Sequence, residues 1–405
     1  MDEMRAIAEM LDEPPTRTAE DEGRRRLRAE IAHPGRATGR APGRAGGPAR
    51  VRFGWPVKAG LGVVAAGAAA AVAIAATGSG TPESPGGPGG TRAAPVDLGK
   101  QAVLAAAENA AQQETGKYFY IHYTDGQSYV VPAGTGSYAI AGARSETFIA
   151  AGLESGGKVT FYGREPGPRL WTPQDEALWK KAGSPPKLKV WSSDKWLTFD
   201  MAKKPPWTPS GTDTHSEWLG DYTIEGLQNL PADPQRLAKR LLDEKNFPEA
   251  GRVWEAGAPV TEQITREQFM AGTKIRAVGW RLGGLPIPPK VRAALMKALM
   301  AEPGVRAVGA TTDPLGREGV ALASGDRTVE VTGEFGTPPE NQGTYGSREE
   351  IVFDKATGDV LAMQNVLTKP GGPYKDREPG FIIDYQAVPD MGWSDTVPAP
   401  PEKLS

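Results

Sequence analysis

The chain predicts an α+β fold: an N-terminal tail and one transmembrane helix, then an extracytoplasmic domain with a large curved antiparallel sheet and packed helices. Three observations predict it. Residues 59–76 run for eighteen positions without a charged or strongly polar side chain. Residues 78–95 then hold six Gly and four Pro in eighteen. Beyond Lys117, short aromatic and β-branched runs alternate with Gly, Pro and Asp turns, broken by a few stretches of helical period.

The apolar run contains ten Ala, three Gly and five larger residues, Leu61, Val63, Val64, Val72 and Ile74. At about 1.5 Å per residue this is the lower limit for crossing a hydrocarbon core of roughly 30 Å. Arg40, Arg44, Arg50, Arg52 and Lys58 precede it closely, whereas Arg92 alone follows. That asymmetry predicts a cytoplasmic N-terminus and an extracytoplasmic C-terminal part. A cleaved signal sequence, with Ala73-Ile74-Ala75 as its site, and a buried soluble helix are the competing readings. The 58 residues before the run argue against the first, and its glycines against the second. The expected organisation is a cytoplasmic tail (1–58), the anchor (59–76), a linker (77–96), the α+β domain (97–392) and a disordered C-terminal tail (393–405).

The chain has 405 residues and a formal net charge of −2, so nothing steers the whole molecule towards nucleic acid. Cysteine is absent, which excludes disulfides, thiolate metal sites and cysteine nucleophiles. The 51 Gly and 37 Pro indicate a loop-rich protein.

Within the tail, Met4, Ile7, Ala8 and Leu11 fall at amphipathic helical spacing, and Thr18 caps a second stretch containing Leu27 and Ile31. The tail reads either as disordered or as helices that fold on a cytoplasmic partner. Residues 33–52 carry Gly, Pro, Ala and Arg without an acid, a positive collar suited to anionic headgroups.

In the main domain, Asp97 caps a helix over 98–113. Strands follow at 117–123, then, after an Asp125-Gly126 turn, at 129–131, 137–141, 146–150 and 158–162, as an antiparallel meander. Regular structure thins out over 166–209. Six of the ten tryptophans lie between Trp171 and Trp218. Packing of long loops onto the sheet is their expected role, with an apolar ligand groove as the alternative. Helices are expected at 233–245, 261–270 and 288–300. Strands close the chain at 305–311, 318–323, 327–331, 349–353, 360–366 and 381–387, with hairpin connections at 313–316, 324–326 and 355–358.

Several segments carry a resemblance: Gly116-Lys117-Tyr118, Leu230-Pro231-Ala232-Asp233-Pro234, Pro288-Pro289-Lys290-Val291-Arg292, Thr312-Asp313-Pro314-Leu315-Gly316 and Ile351-Val352-Phe353-Asp354-Lys355-Ala356-Thr357-Gly358. In these the chain resembles an uncharacterised family of single-pass actinobacterial membrane proteins. Members are often encoded beside sigma factors of the extracytoplasmic type, which implies a regulatory role by association only. The resemblance implies no functional residues.

No catalytic motif is present. His33, His122 and His215 lack partners at zinc-ligand spacing. Asp194, Asp200, Asp213, Glu217 and Asp221 show no spacing that separates catalysis from solvated charge. There is no nucleophile elbow, phosphate-binding loop or dinucleotide fingerprint. No enzyme activity, cofactor, metal or catalytic residue is therefore expected. The leading expectation is an envelope sensor or anti-sigma-like regulator of the cell membrane, its tail docking a cytoplasmic sigma factor. The alternative is a tethered binding module for a lipid, peptide or cell-wall ligand, with an apolar ligand at the ectodomain. A hydrolase with an unrecognised site is a third reading.

Overall fold

The structure is a computed structural model and describes residues 97–154, 157–213, 218–219, 222–255 and 262–402. The expected tail, anchor and linker lie outside the described residues. Among the described residues no helix is long and apolar enough to cross a membrane.

The strands are β1 (Tyr118–Val131), β2 (Tyr138–Gly152), β3 (Val159–Arg164), β4 (Arg169–Leu170), β5 (Lys187–Ser192), β6 (Lys195–Asp200), β7 (Thr208–Asp213) and β8 (Glu262–Gln263). They continue as β9 (Arg306–Thr312), β10 (Glu318–Ala323), β11 (Arg327–Val331), β12 (Gly343–Phe353), β13 (Val360–Lys369) and β14 (Ile382–Ser394). The helices are α1 (Leu98–Ala110), α2 (Pro173–Lys181), α3 (Ile224–Gln228), α4 (Pro234–Leu237), α5 (Pro248–Glu255), α6 (Arg266–Gly284) and α7 (Pro289–Met300). Twelve strands form one antiparallel sheet in the order β7-β3-β2-β1-β14-β13-β12-β10-β9, with β4, β8 and β11 attached at its sides. The first and last long strands, β1 and β14, are neighbours at its centre. The chain is thus α+β with a large antiparallel sheet and packed helices.

Strand alternation fixes what covers each face. Odd-numbered β1 residues share one face. Phe119 and Ile121 join a core with Val103 of α1, Ile275 of α6, and Leu295 of α7. Tyr129 and Val131, further along the same face, pack against Leu188 and Val190 of β5 and Leu178 of α2. Two layers therefore cover this face, one at each end of the central strands. Tyr123, Asp125 and Gln127 occupy the interval between them.

Helix α6 approaches the sheet closely because it presents glycines. A Cβ on Gly279 would overlap the Met363 sulfur, and one on Gly272 would stand 3.2 Å from Glu349 Cγ. Its start is held by a Thr265/Gln268 capping box. Helix α7 is buried along most of its length and carries Arg292 inside the core. Arg292 Nη1 donates to Leu282 O at 2.7 Å and its Nη2 to Asp359 at 3.1 Å, tying α6 to the start of β13.

Several expected elements are corrected. Asp125-Gly126 is not a turn: β1 runs through it, and Gly126 is required because the Tyr385 ring lies where a Cβ would project. The strands expected at 137–141 and 146–150 are one, β2, whose bulge sits at Ala143 (φ 46°). The helix expected at 233–245 breaks after Leu237 into a π turn, Ala238–Leu242, and a 3₁₀ turn, Glu244–Asn246. That expected at 261–270 starts at Arg266, behind the Thr265 cap, and runs nineteen residues to Gly284, its glycines at 272 and 279 letting it lie close on the sheet. Residues 324–326 do not close a hairpin: β10 and β11 lie end to end along one edge of β12. The 166–209 region contains α2 and the β5–β6 hairpin. The strand expected at 381–387 runs on to Ser394, where Trp393 packs edge-on against Phe119 at 5.2 Å.

Candidate functional site

The interval between the two layers is a polar lane across an otherwise apolar sheet face. Register builds it in two rungs. Ser145, Asp125 and Gln386 align across β2, β1 and β14. Gln127, Asp384, Asn365 and Glu349 align across β1, β14, β13 and β12. Asp125 accepts from Gln386 Nε2 at 2.9 Å and from Ser145 Oγ at 3.2 Å. Asp384 accepts from Asn365 Nδ2 at 3.1 Å. Arg276 of α6 and Arg327 of β11 pair with Glu349 at 2.7 and 3.1 Å.

Asp125 and Asp384 are half-buried, and neither has a cation bonded to it among the described contacts. Burial pushes each carboxyl up to about 6. For Asp384 the nearby Glu349 charge adds to the rise, while the Asn365 hydrogen bond, Arg327 and Arg276 oppose it. Burial also raises the Tyr123 phenol, with the Asp125 charge reinforcing it. Two carboxyls raised to about 6 thus share one polar lane, bordered by two guanidiniums and a row of amides. This arrangement can bind a polar ligand or respond to protons.

The opposite face of β1 holds a different constellation. Glu146 is 1% exposed and is clamped by two arginines. Arg164 reaches Oε2 through Nε at 2.8 Å and Nη2 at 2.5 Å, and Arg144 reaches Oε1 at 3.2 Å. Trp207 covers the Arg164 guanidinium with its ring centroid 4.1 Å away, and donates from Nε1 to Pro401 O at 2.5 Å. His122 lies 3.5 Å from Glu146 and edge-on to Trp207. Nearby, Arg169 donates to Pro314 O at 2.7 Å beside Trp171. With its oxygens taken up by guanidiniums, Glu146 is fitted for structure rather than proton transfer.

His122 is buried in β1 between Glu146 and Trp207. Asp194 and Asp200 sit apart from both clusters, exposed on the β5–β6 hairpin. Asp213 ends β7. His33, His215, Glu217 and Asp221 lie outside the described residues. Among the described residues no three His, Cys, Asp or Glu side chains could hold a metal ion. Trp171 packs on Phe381 and Tyr385, and Trp218 stacks on Phe119, as expected for loop-pinning residues. Sequence reasoning missed the lane because Asp125 was read as half of a turn. The available signal was the uninterrupted β character on both sides of it.

No family model matches the chain, and no curated protein matches it. Among solved structures, the complex of Pseudomonas aeruginosa MucA/MucB is similar over 74% of this chain at 12% identity, with a TM-score of 0.21. The chain spans 58% of the length of that neighbour.

Proposed function

We propose that the chain is a membrane-anchored envelope regulator whose extracytoplasmic domain senses a polar ligand or local acidity and whose N-terminal tail docks a cytoplasmic sigma factor. One observation carries the sensing half: the Asp125–Asp384 lane. Seating two carboxyls where burial opposes their ionisation lowers stability near neutral pH, and scaffold packing alone has no need of it. Positive flanking charge before residues 59–76 supports the topology, and the amphipathic spacing of Ile7 and Leu11 supports the docking.

The test is capture of the sigma factor encoded nearby by the full chain in bilayer nanodiscs, compared with an Ile7→Asp/Leu11→Asp variant. Specific capture lost in the variant is expected. Equal capture by both, or none by either, overturns the regulatory reading.

A further inference from the structure

The β5–β6 hairpin stands outside the main sheet and turns one face outward. Leu188, Val190 and Ser192 point inwards and are buried. By alternation Lys187, Lys189 and Trp191 point out, as do their cross-strand partners Asp200, Thr198 and Trp196. The two indoles meet edge to face at 5.6 Å, and Lys189 Nζ lies 4.9 Å from the Trp196 ring. Trp196 is 48% exposed, against 4% for Trp218 in the core. Phe335, 39% exposed, extends the apolar area from a turn that backs onto Trp191 at Gly336. Lys195 and Asp194 form the exposed turn.

Charge follows the same segment. Residues 173–207 hold seven lysines and four carboxylates, in a chain that is negative overall. One of those carboxylates, Asp175, is buried and lies 3.9 Å from Arg377. An exposed indole, Trp196, seated on the half-buried Trp191 and flanked by lysine stems, matches the interfacial zone of a bilayer: ring at headgroup depth, ammoniums on phosphates.

We infer that the outward face of this hairpin, with Trp196, Trp191, Lys187 and Lys189, together with Phe335 and the exposed turn residue Lys195, docks on the anionic lipid headgroups of the membrane to which the chain is tethered. The inference rests on the tethered topology proposed above. Twenty residues between anchor and domain span at most about 70 Å, so the hairpin is held within reach of that surface. Docking would fix the orientation of the polar lane relative to the bilayer.

The absence of cysteine allows a clean test. The full chain carries a single environment-sensitive fluorophore at Asp194→Cys in the hairpin turn, or at Glu108→Cys on α1 as control. It is placed in nanodiscs of brominated phosphatidylcholine, alone or mixed with brominated phosphatidylglycerol. Quenching and a blue shift are expected at position 194 only, and only with the anionic lipid. Lys187→Gln/Lys189→Gln/Lys195→Gln should weaken the docking equilibrium by about a hundred-fold. Trp196→Ser should abolish quenching while leaving the unfolding midpoint unchanged. Equal responses at both positions, or insensitivity to the lysine and tryptophan changes, would overturn the docking surface. So would a response at position 194 produced by added soluble wall oligosaccharide instead of lipid, which would make the indoles a glycan platform. A chain that fails to resist alkaline extraction removes the tether reading and this inference with it. A chain that integrates without a response at position 194 removes the docking surface alone.

Discussion

Asp384 of β14 stands diagonally across the β1–β14 ladder from Asp125, one rung from Gln386, which bonds to Asp125 at 2.9 Å. Both carboxyls are raised to about 6 by burial, from an ordinary value of 3.8. The folded state therefore binds protons more tightly than the unfolded chain. Stability contributed by the protonated forms is fully present below about pH 4 and is lost as pH rises through about 6. Groups facing the pair are Tyr123, Gln127 and Ser145 from the first strands, Asn365, Gln386 and Glu349, and the Arg276 and Arg327 guanidiniums. Asp125→Asn and Asp384→Asn should each raise stability at pH 7.5 by about 1–2 kcal/mol. The gain should shrink towards zero at pH 4. Urea unfolding of wild type and variants across this range measures it, and parallel pH curves would refute the shifted carboxyls.

The Glu146 clamp predicts the opposite sign. Glu146→Gln leaves the Arg144 and Arg164 guanidiniums buried without their carboxylate, a loss of about 3–5 kcal/mol. Replacing all three with apolar residues of similar volume (Arg144→Met, Glu146→Leu, Arg164→Met) should recover most of it. Denaturant midpoints at matched slopes decide the matter. A single-variant loss below about 1 kcal/mol would mean that the clamp is solvated.

Local signals carried much of the architecture. Asp97 and Pro289 mark helix starts where the structure has them, and β10 and β11 fall at the expected residues. Pairing between distant strands was not legible. That β1 adjoins β14, or that β10 and β11 share one edge of β12, depends on contacts without a sequence-local signature. The lane is such a product: Asp125, Asp384 and Glu349 become neighbours only through register across four strands. Glycine has one physical role at Gly126, where a turn is expected, and at Gly272 and Gly279, where the helix runs past its expected end. In each place the absent Cβ makes room for a neighbour, the Tyr385 ring in one and the Glu349 and Met363 side chains in the other.

That last contact gives a further prediction. Gly279→Ala improves helix propensity by about 1 kcal/mol, yet its methyl would overlap the Met363 sulfur. Overpacking of a tight core costs about 1–3 kcal/mol, so the single variant should be destabilised, by about 1 kcal/mol net. Met363→Ala alone opens a cavity beneath α6 and should cost about 2–5 kcal/mol. In the double variant the new methyl occupies part of that cavity and the overlap disappears. The double variant should therefore be more stable than the sum of the two singles by about 1–2 kcal/mol. Additive losses in a double-mutant cycle would mean that α6 does not rest on Met363. A coupling of the expected sign would show that glycine at 279 sets the height of the helix above the sheet, and with it the placement of Arg276 over Glu349.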